Sequence, residues 1–219
     1  GDMIAIDPAA VFQNRKIGSQ TGVGLHFGSL FLKGSRYVTR TNLALAVNKR
    51  QMAGVVLFDH LFHNIDRTWN YKNLLIRKES DGHRIYAIDH SHLFIRGRWS
   101  NESLKSLVNK TKINYRRSFG VLLKYYFTAE DLQHYARKFQ EISAQQIQAI
   151  IGEIPEEWLP DSAERRGLLD FLLQRIPQAK TLADTLCERI PDPDRRTYVD
   201  QGEQFFGMGV VHTDTPVGN

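Results

Sequence analysis

The chain has 219 residues and a formal net charge of +5, with 42% hydrophobic and 24% charged residues. These values are ordinary for a soluble globular protein and allow one large domain or two small ones. No apolar run approaches the length of a membrane span, and no charged start followed by an apolar segment suggests a signal peptide.

The only cysteine, Cys187, lies within an apolar helical pattern. A single cysteine cannot form an internal disulfide, so we expect a reducing compartment and a cytoplasmic protein. Because no histidine is near in sequence, a small buried hydrophobe describes Cys187 better than a nucleophile does.

The first forty residues predict a short β segment. Residues 3–12 suggest a strand and a turn broken at Asp7-Pro8, and residues 26–32 suggest a strand interrupted by Gly28, where a backbone or ligand can approach closely. Residues 36–41 are polar and are predicted to be loop. An apolar face at helical spacing then predicts one helix over residues 42–61.

The middle of the chain predicts a β-hairpin that follows a polar loop. The loop covers residues 63–73, and two apolar runs at residues 74–77 and 84–88 flank the turn signal Ser80-Asp81-Gly82. Helical patterns then dominate, beginning near Asn101, Thr128, Ser143 and Asp161 and ending near residue 189. We therefore predict an α+β fold, with an N-terminal β unit at 3–40, a helical unit with the hairpin at 41–193 and a weakly structured tail at 194–219.

Three oxygen-bearing side chains lie where this hairpin would bring them together. Asp66 is in the loop, Asn73 enters the first strand and Asp89 follows the second. Two acids and an amide oxygen can hold a divalent metal and orient a hydroxyl, as phosphoryl transfer requires. Arg67 can pair with an acid and fix the loop, or steady a phosphate. Each residue alone suits a turn or a helix cap, but the ordered set favours a site.

The same residues carry a resemblance to a known family. The segments concerned are Asn64-x-Asp66-Arg67-Thr68, then Asn73-Leu74-Leu75, then Ile88-Asp89-His90-Ser91. In this order they resemble the catalytic core of the HipA-like kinases, which are bacterial members of the protein-kinase-like superfamily, related more distantly to the phosphatidylinositol kinases. The segment His26-Phe27-Gly28-Ser29 resembles the region near their inter-lobe hinge, and residues 154–158 with the following helices resemble their C-terminal helical lobe.

The resemblance implies a role for each site residue. Asp66 would be the catalytic base, Asn73 and Asp89 would be Mg²⁺ ligands, and the cofactors would be ATP and Mg²⁺. The hinge-like position of His26, Phe27 and Gly28 implies contact with the nucleotide. The gap from Asp66 to Asn73 is longer than in classical kinases, and Asn70 matches neither spacing; Asn73 is favoured because it directly precedes Leu74-Leu75-Ile76.

The chain departs from the superfamily in its N-terminal part. Kinases of this kind carry a strand-rich lobe with a phosphate loop and a strand lysine, and neither Lys16 nor Lys33 lies in a convincing strand of that type. The resemblance therefore implies a complementary polypeptide that supplies this lobe, or a protein that binds without catalysing.

Two other functions remain open at this point. His60, His63, His90 and His92 lie near acids and suggest a transition-metal phosphohydrolase, although their spacing matches no usual metal motif. The stretch from 101 to 124 is strongly basic, and it suggests a docking surface for an acidic or phosphorylated protein. A nucleic-acid partner is not favoured, since no nucleic-acid-binding signature is present.

Overall fold

The structure is a computed structural model, and it describes residues 2–6, 24–95, 97–113 and 126–190. Within these residues two small antiparallel sheets lie in the N-terminal half, and helices make up most of the remainder. The predicted α+β, helix-rich class is confirmed. The predicted tail at 194–219 and the basic residues Arg116, Arg117 and Lys124 lie outside the described residues.

The strands form one two-stranded and one three-stranded sheet. Strands β1 (Asp2–Ile6) and β2 (Gly24–Gly28) pair with each other, and β3 (Arg36–Tyr37), β4 (Leu74–Glu79) and β5 (Gly82–Ala87) form the second sheet in that order. The predicted hairpin is present as β4 and β5, with Gly82 at φ 133° in the turn, a conformation that favours glycine. The prediction of loop over residues 36–41 was wrong, because β3 forms there by pairing with β4.

The predicted helix over residues 42–61 is interrupted. It comprises α1 (Arg40–Ala44), a 3₁₀ turn (Lys49–Gln51) and α2 (Met52–Leu61). Between α1 and the 3₁₀ turn the chain runs along the outer edge of β5. Asn48 Nδ2 donates to the Ile85 carbonyl at 2.9 Å, and the Ile85 N–H donates to Asn48 Oδ1 at 2.8 Å. Val47 N–H also donates to the His83 carbonyl, so this edge of the sheet is covered.

The remaining helices of the described residues are α3 (Asp66–Trp69), α4 (Asn101–Leu107), α5 (Ala129–Gln140), α6 (Ala144–Gly152), α7 (Ser162–Arg175) and α8 (Ala179–Cys187), with 3₁₀ turns at Tyr71–Asn73 and Ile176–Gln178. Among these, α4 to α7 begin at side-chain caps. Thr128 and Ser143 close capping boxes, and Asp161 caps α7. The cap of α4 is Ser100 rather than Asn101, since the Ser100 side chain accepts from the Ser103 N–H.

The core packs α2 against α5 and α8. Leu57, Leu132 and Leu182 are fully buried there. Gly54 on α2 lies directly under the ring of Tyr135 on α5, which allows the two helices to approach closely. None of the helices in the described part of the chain has both the length and the apolar content that a membrane crossing requires.

A buried arginine fixes the C-terminal end of α2. Arg175 on α7 donates to the carbonyls of His60 and Leu61 and to those of Val108 and Lys110 beyond α4. Burial lowers the pKa of Arg175 to about 10. The loop that leaves α2 therefore starts from a firmly held point.

Candidate functional site

The candidate site lies at the open end of the β4–β5 hairpin. The register pairs Leu74 with Ala87, and one step further the Ile88 N–H donates to the Asn73 carbonyl at 3.0 Å. The loop that precedes β4 and the segment that follows β5 are therefore held side by side by antiparallel pairing. This pairing brings residues about twenty positions apart in sequence to one place.

Asp66 and Asn73 are joined directly. Asn73 Nδ2 donates to Asp66 Oδ2 at 2.6 Å, and Asn73 Oδ1 accepts from Asn70 Nδ2 at 3.1 Å. Asn73 is only 4% exposed, whereas the Asp66 side chain is 25% exposed. The buried Asn73 amide thus orients the Asp66 carboxylate, which is still partly exposed to solvent.

Asp89 lies just beyond β5 in the left-handed region of backbone space, at φ 58°. Its Oδ1 accepts from both the Ser91 N–H, at 3.0 Å, and the Ser91 hydroxyl, at 2.6 Å. These two bonds, rather than a nearby charge, are the main reason that the pKa of Asp89 is lowered. Asp89 is therefore an exposed carboxylate that stays ionised near neutral pH.

A run of polar contacts links Asp89 to Asp66. His92 Nδ1 lies 3.1 Å from the Ser91 hydroxyl oxygen and 3.8 Å from Asp66 Oδ2. Together with the Asp66–Asn73 bond, these contacts connect the three oxygen-bearing residues singled out from the sequence; the His92–Asp66 step is too long for a hydrogen bond and is an ion pair only when His92 is protonated. Ser91 and His92 were not singled out for this linking role.

Arg67 faces inward, beneath this network. Its guanidinium is 0% exposed and its Nε donates to Asp59 Oδ2 at 2.7 Å. Its Nη1 donates at 2.6 Å to the carbonyls of both Asn73 and Ile88, and its Nη2 lies 3.4 Å from the Asp89 carbonyl. A guanidinium buried in this way fixes the loop, and it has no exposed face to offer a phosphate.

The sequence reasoning counted Asp59 only among the acids near the four histidines and missed its pairing with Arg67. Asp59 lies on α2, 2% exposed, and its Oδ1 accepts from Asn64 Nδ2 at 2.9 Å. Burial raises the pKa of Asp59 to about 6, although the Arg67 charge opposes the shift. The available signal was an acid in the apolar pattern of a predicted helix, at a spacing from Val56 that puts both on one face.

The proposed nucleotide-contacting residues lie on a different sheet. His26, Phe27 and Gly28 are on β2, which is attached to the connector between α6 and α7. Trp158 Nε1 donates to the Leu25 carbonyl at 2.9 Å. Phe27 is 68% exposed. A role for these residues in binding nucleotide stays a prediction.

The histidines do not assemble a transition-metal centre. His60 Nδ1 lies 2.7 Å from the Val56 carbonyl, His63 Nε2 lies 3.1 Å from the Leu107 carbonyl, and His90 packs edge-on against Phe58. Across the described ranges, no group of three or more His, Cys, Asp or Glu side chains could hold a metal ion. This finding counts against the phosphohydrolase alternative.

The donors of Asp89 and Asn73 nevertheless suit Mg²⁺. This ion prefers oxygen ligands and is usually held by only one or two carboxylates, with waters and substrate phosphates completing its shell. Asp89 offers an exposed carboxylate, and Asn73 offers an amide oxygen that also accepts from Asn70 Nδ2; their role as Mg²⁺ ligands stays a prediction. Such a site needs no cluster of three acids or histidines.

The chain was compared with known proteins. No curated protein and no solved structure matches it. A protein-family model described as HipA-like kinase matches residues 2–186, which includes the hairpin, the whole polar network and all the helices up to α8. With most of its length covered by this match, the chain belongs to the HipA-like kinase family.

Proposed function

We propose that this chain transfers the γ-phosphoryl group of ATP to a hydroxyl group, with Mg²⁺ bound at Asp89 and Asn73. The proposal is supported by family membership and, above all, by one observation: Asp66, Asn73 and Asp89 share a polar network at the mouth of a single hairpin. Phosphoryl transfer depends mainly on positioning and charge stabilisation, which such a preorganised network can provide.

Each residue has a distinct task in this proposal. Asp66, partly open to solvent, accepts the proton of the attacking hydroxyl as the hydroxyl oxygen bonds to the γ-phosphorus and the bond to ADP breaks. Asn73 keeps the Asp66 carboxylate in a fixed orientation through its amide N–H. Asp89 and the Asn73 amide oxygen supply the ligands. Bound Mg²⁺ would neutralise charge that develops on the phosphate oxygens.

The first test is Mg²⁺-dependent nucleotide binding, measured by calorimetry on the full chain and on Asp89→Ala. We expect the unaltered chain to bind ATP only with Mg²⁺ and the variant to lose that binding while keeping its unfolding temperature. Asp81→Ala is the matched control, because it removes the same charge from the turn at the other end of the hairpin, where Asp81 pairs with Arg84. Equal binding by the chain and Asp89→Ala would contradict the proposal.

A second variant separates binding from chemistry. Asp66→Asn removes the proton acceptor but leaves both proposed ligands in place. We expect it to bind Mg²⁺ and ATP like the unaltered chain and to lose ATP turnover, followed as release of labelled phosphate. An unaltered chain that never binds nucleotide would favour the alternative of a non-catalytic interaction module.

A further inference from the structure

The strongest unexplained feature near the site is a buried ion pair beneath it. Asp59 and Arg67 are each 0% exposed at the side chain, and their charged atoms are 2.7 Å apart. Taking two charges out of water is costly, and a buried pair often contributes little net stability compared with an apolar pair of similar volume. Its presence therefore calls for an explanation other than stability.

The contacts of the pair converge on the candidate site. The Arg67 guanidinium reaches the backbone carbonyls of the two proposed ligand residues, Asn73 and Asp89, and that of Ile88, which directly precedes Asp89. It thus joins the segments before β4 and after β5 at the point where the strand pairing ends. Asp59 fixes the direction of the guanidinium from the core side.

Asp59 also holds the start of the loop. Asn64 donates to Asp59 through its side-chain amide, at 2.9 Å, and through its backbone N–H to the Asp59 carbonyl, at 2.8 Å. One carboxylate on α2 therefore sets both ends of the segment that carries Asp66. Its rigid support is the last turn of α2, where Arg175 holds the carbonyls of His60 and Leu61 directly after Asp59.

We infer that Asp59, acting through Arg67, is a positioning residue that sets the distance between the two proposed metal ligands, Asn73 and Asp89. This inference rests on the proposed function for its catalytic meaning. The geometric part, that the pair holds residues 73 and 88–89 together, stands independently. Removing the pair leaves every proposed ligand in place but loosens the distance between them.

The test uses the full chain with Asp59→Asn, Arg67→Lys and the double variant. Asn keeps the size of Asp59 and removes its charge; Lys keeps the charge of Arg67 and loses the planar fork that reaches three carbonyls. We expect each single variant to weaken the apparent Mg²⁺ affinity about tenfold, as the loss of residues that orient metal ligands usually does. Because the pair acts as one unit, the double variant should lose no more than the weaker-binding single variant.

Excess Mg²⁺ distinguishes positioning from ligand loss. At saturating Mg²⁺, nucleotide binding and turnover should return towards those of the unaltered chain for Asp59→Asn, and not for Asp89→Ala. Arg165→Lys is the matched control. Arg165 also donates to a set of backbone carbonyls, but at the end of α6 and in the connector to α7: those of Ile151, Ile154, Pro155 and Leu159. The Mg²⁺ affinity of Arg165→Lys should equal that of the unaltered chain.

Hydrogen exchange measures the geometric part without nucleotide. Asp59→Asn should speed exchange in residues 64–73 and 86–93 while leaving α5 and α8 as protected as in the unaltered chain. Unchanged exchange in both segments, or Mg²⁺ affinities within twofold of the unaltered chain, would overturn the inference. If the unaltered chain binds no nucleotide, the proposed function fails. The exchange result alone then decides whether the Asp59–Arg67 pair holds residues 64–73 and 86–93 in position.

Discussion

The pH dependence of stability offers a sharp test of the structure through His63. His63 follows the end of α2 with a left-handed backbone, at φ 53°, and its Nε2 contacts the Leu107 carbonyl. Burial, with a smaller contribution from the Arg175 charge, lowers the pKa of His63 to about 4. Asn is a suitable replacement because it accepts the left-handed conformation and carries no titrating group.

Proton binding at His63 determines the sign and size of the change in stability with pH. Between the ordinary pKa of 6.5 and about 4, the unfolded chain binds a proton at His63 and the folded chain does not. Stability from this group is therefore present at neutral pH and is lost as the pH falls through that window. The full shift corresponds to roughly 3 kcal/mol, and solvent screening of a part-buried ring reduces this to about 2 kcal/mol.

Asp59 acts in the opposite direction over nearly the same range. Its pKa is raised from 3.8 to about 6, so the folded chain keeps a proton that the unfolded chain releases. Acidification from about pH 6 to pH 4 therefore favours the folded state at Asp59, and the two effects partly cancel in the unaltered chain. The difference between the unaltered chain and His63→Asn isolates the histidine.

The assay is urea unfolding followed by tryptophan fluorescence, from neutral pH to about pH 4, on both proteins. As the pH falls, we expect the free energy of unfolding of the unaltered chain to drop by about 2 kcal/mol relative to that of His63→Asn. A difference that stays constant with pH would refute the reasoning, because the ring would then titrate alike in the folded and unfolded states.

Three further predictions concern packing and capping, and urea unfolding measures each. Gly54→Ala should lower the free energy of unfolding by about 1 to 3 kcal/mol, because the added Cβ would lie 2.6 Å from Tyr135 Cδ1. Gly152→Ala, at a helical glycine with open space around it, should be neutral or slightly stabilising; a loss equal to that of Gly54→Ala would contradict the packing argument. Thr128→Ala removes the α5 cap and should cost about 1 kcal/mol, and an unchanged stability would show that the Thr128 backbone bond to Asp131 suffices.

Local signals explain which elements could be predicted from the sequence. The hairpin follows from two apolar runs around Ser80-Asp81-Gly82, and the caps at Thr128 and Ser143 depend on residues three positions apart. Distant contacts explain the errors. Strand β3 has two residues and is defined only by its pairing with β4, and the break before α2 depends on Asn48 meeting Ile85, thirty-seven positions along the chain.

The same distinction applies to the candidate site. Asp66, Asn73 and Asp89 could be grouped in advance because a hairpin folds the chain back on itself over a short distance. The inward direction of Arg67 could not, since it depends on Asp59 being buried on the preceding helix. The left-handed backbone of Asp89 was equally hidden, because aspartate is also common in ordinary turns and caps.

The covered edge of β5 has a consequence for self-association. A bare strand edge offers unpaired N–H and C=O groups to a second chain, and that is a common route to aggregation. Here the Asn48 amide occupies the groups of Ile85 as a neighbouring strand would, and Val47 occupies the His83 carbonyl. On the other side, β4 extends past the two-residue β3 with Arg77, Lys78 and Glu79, whose charges disfavour an incoming apolar strand. Replacing Asn48 would thus expose a template for intermolecular pairing at the edge of the hairpin that carries the candidate site.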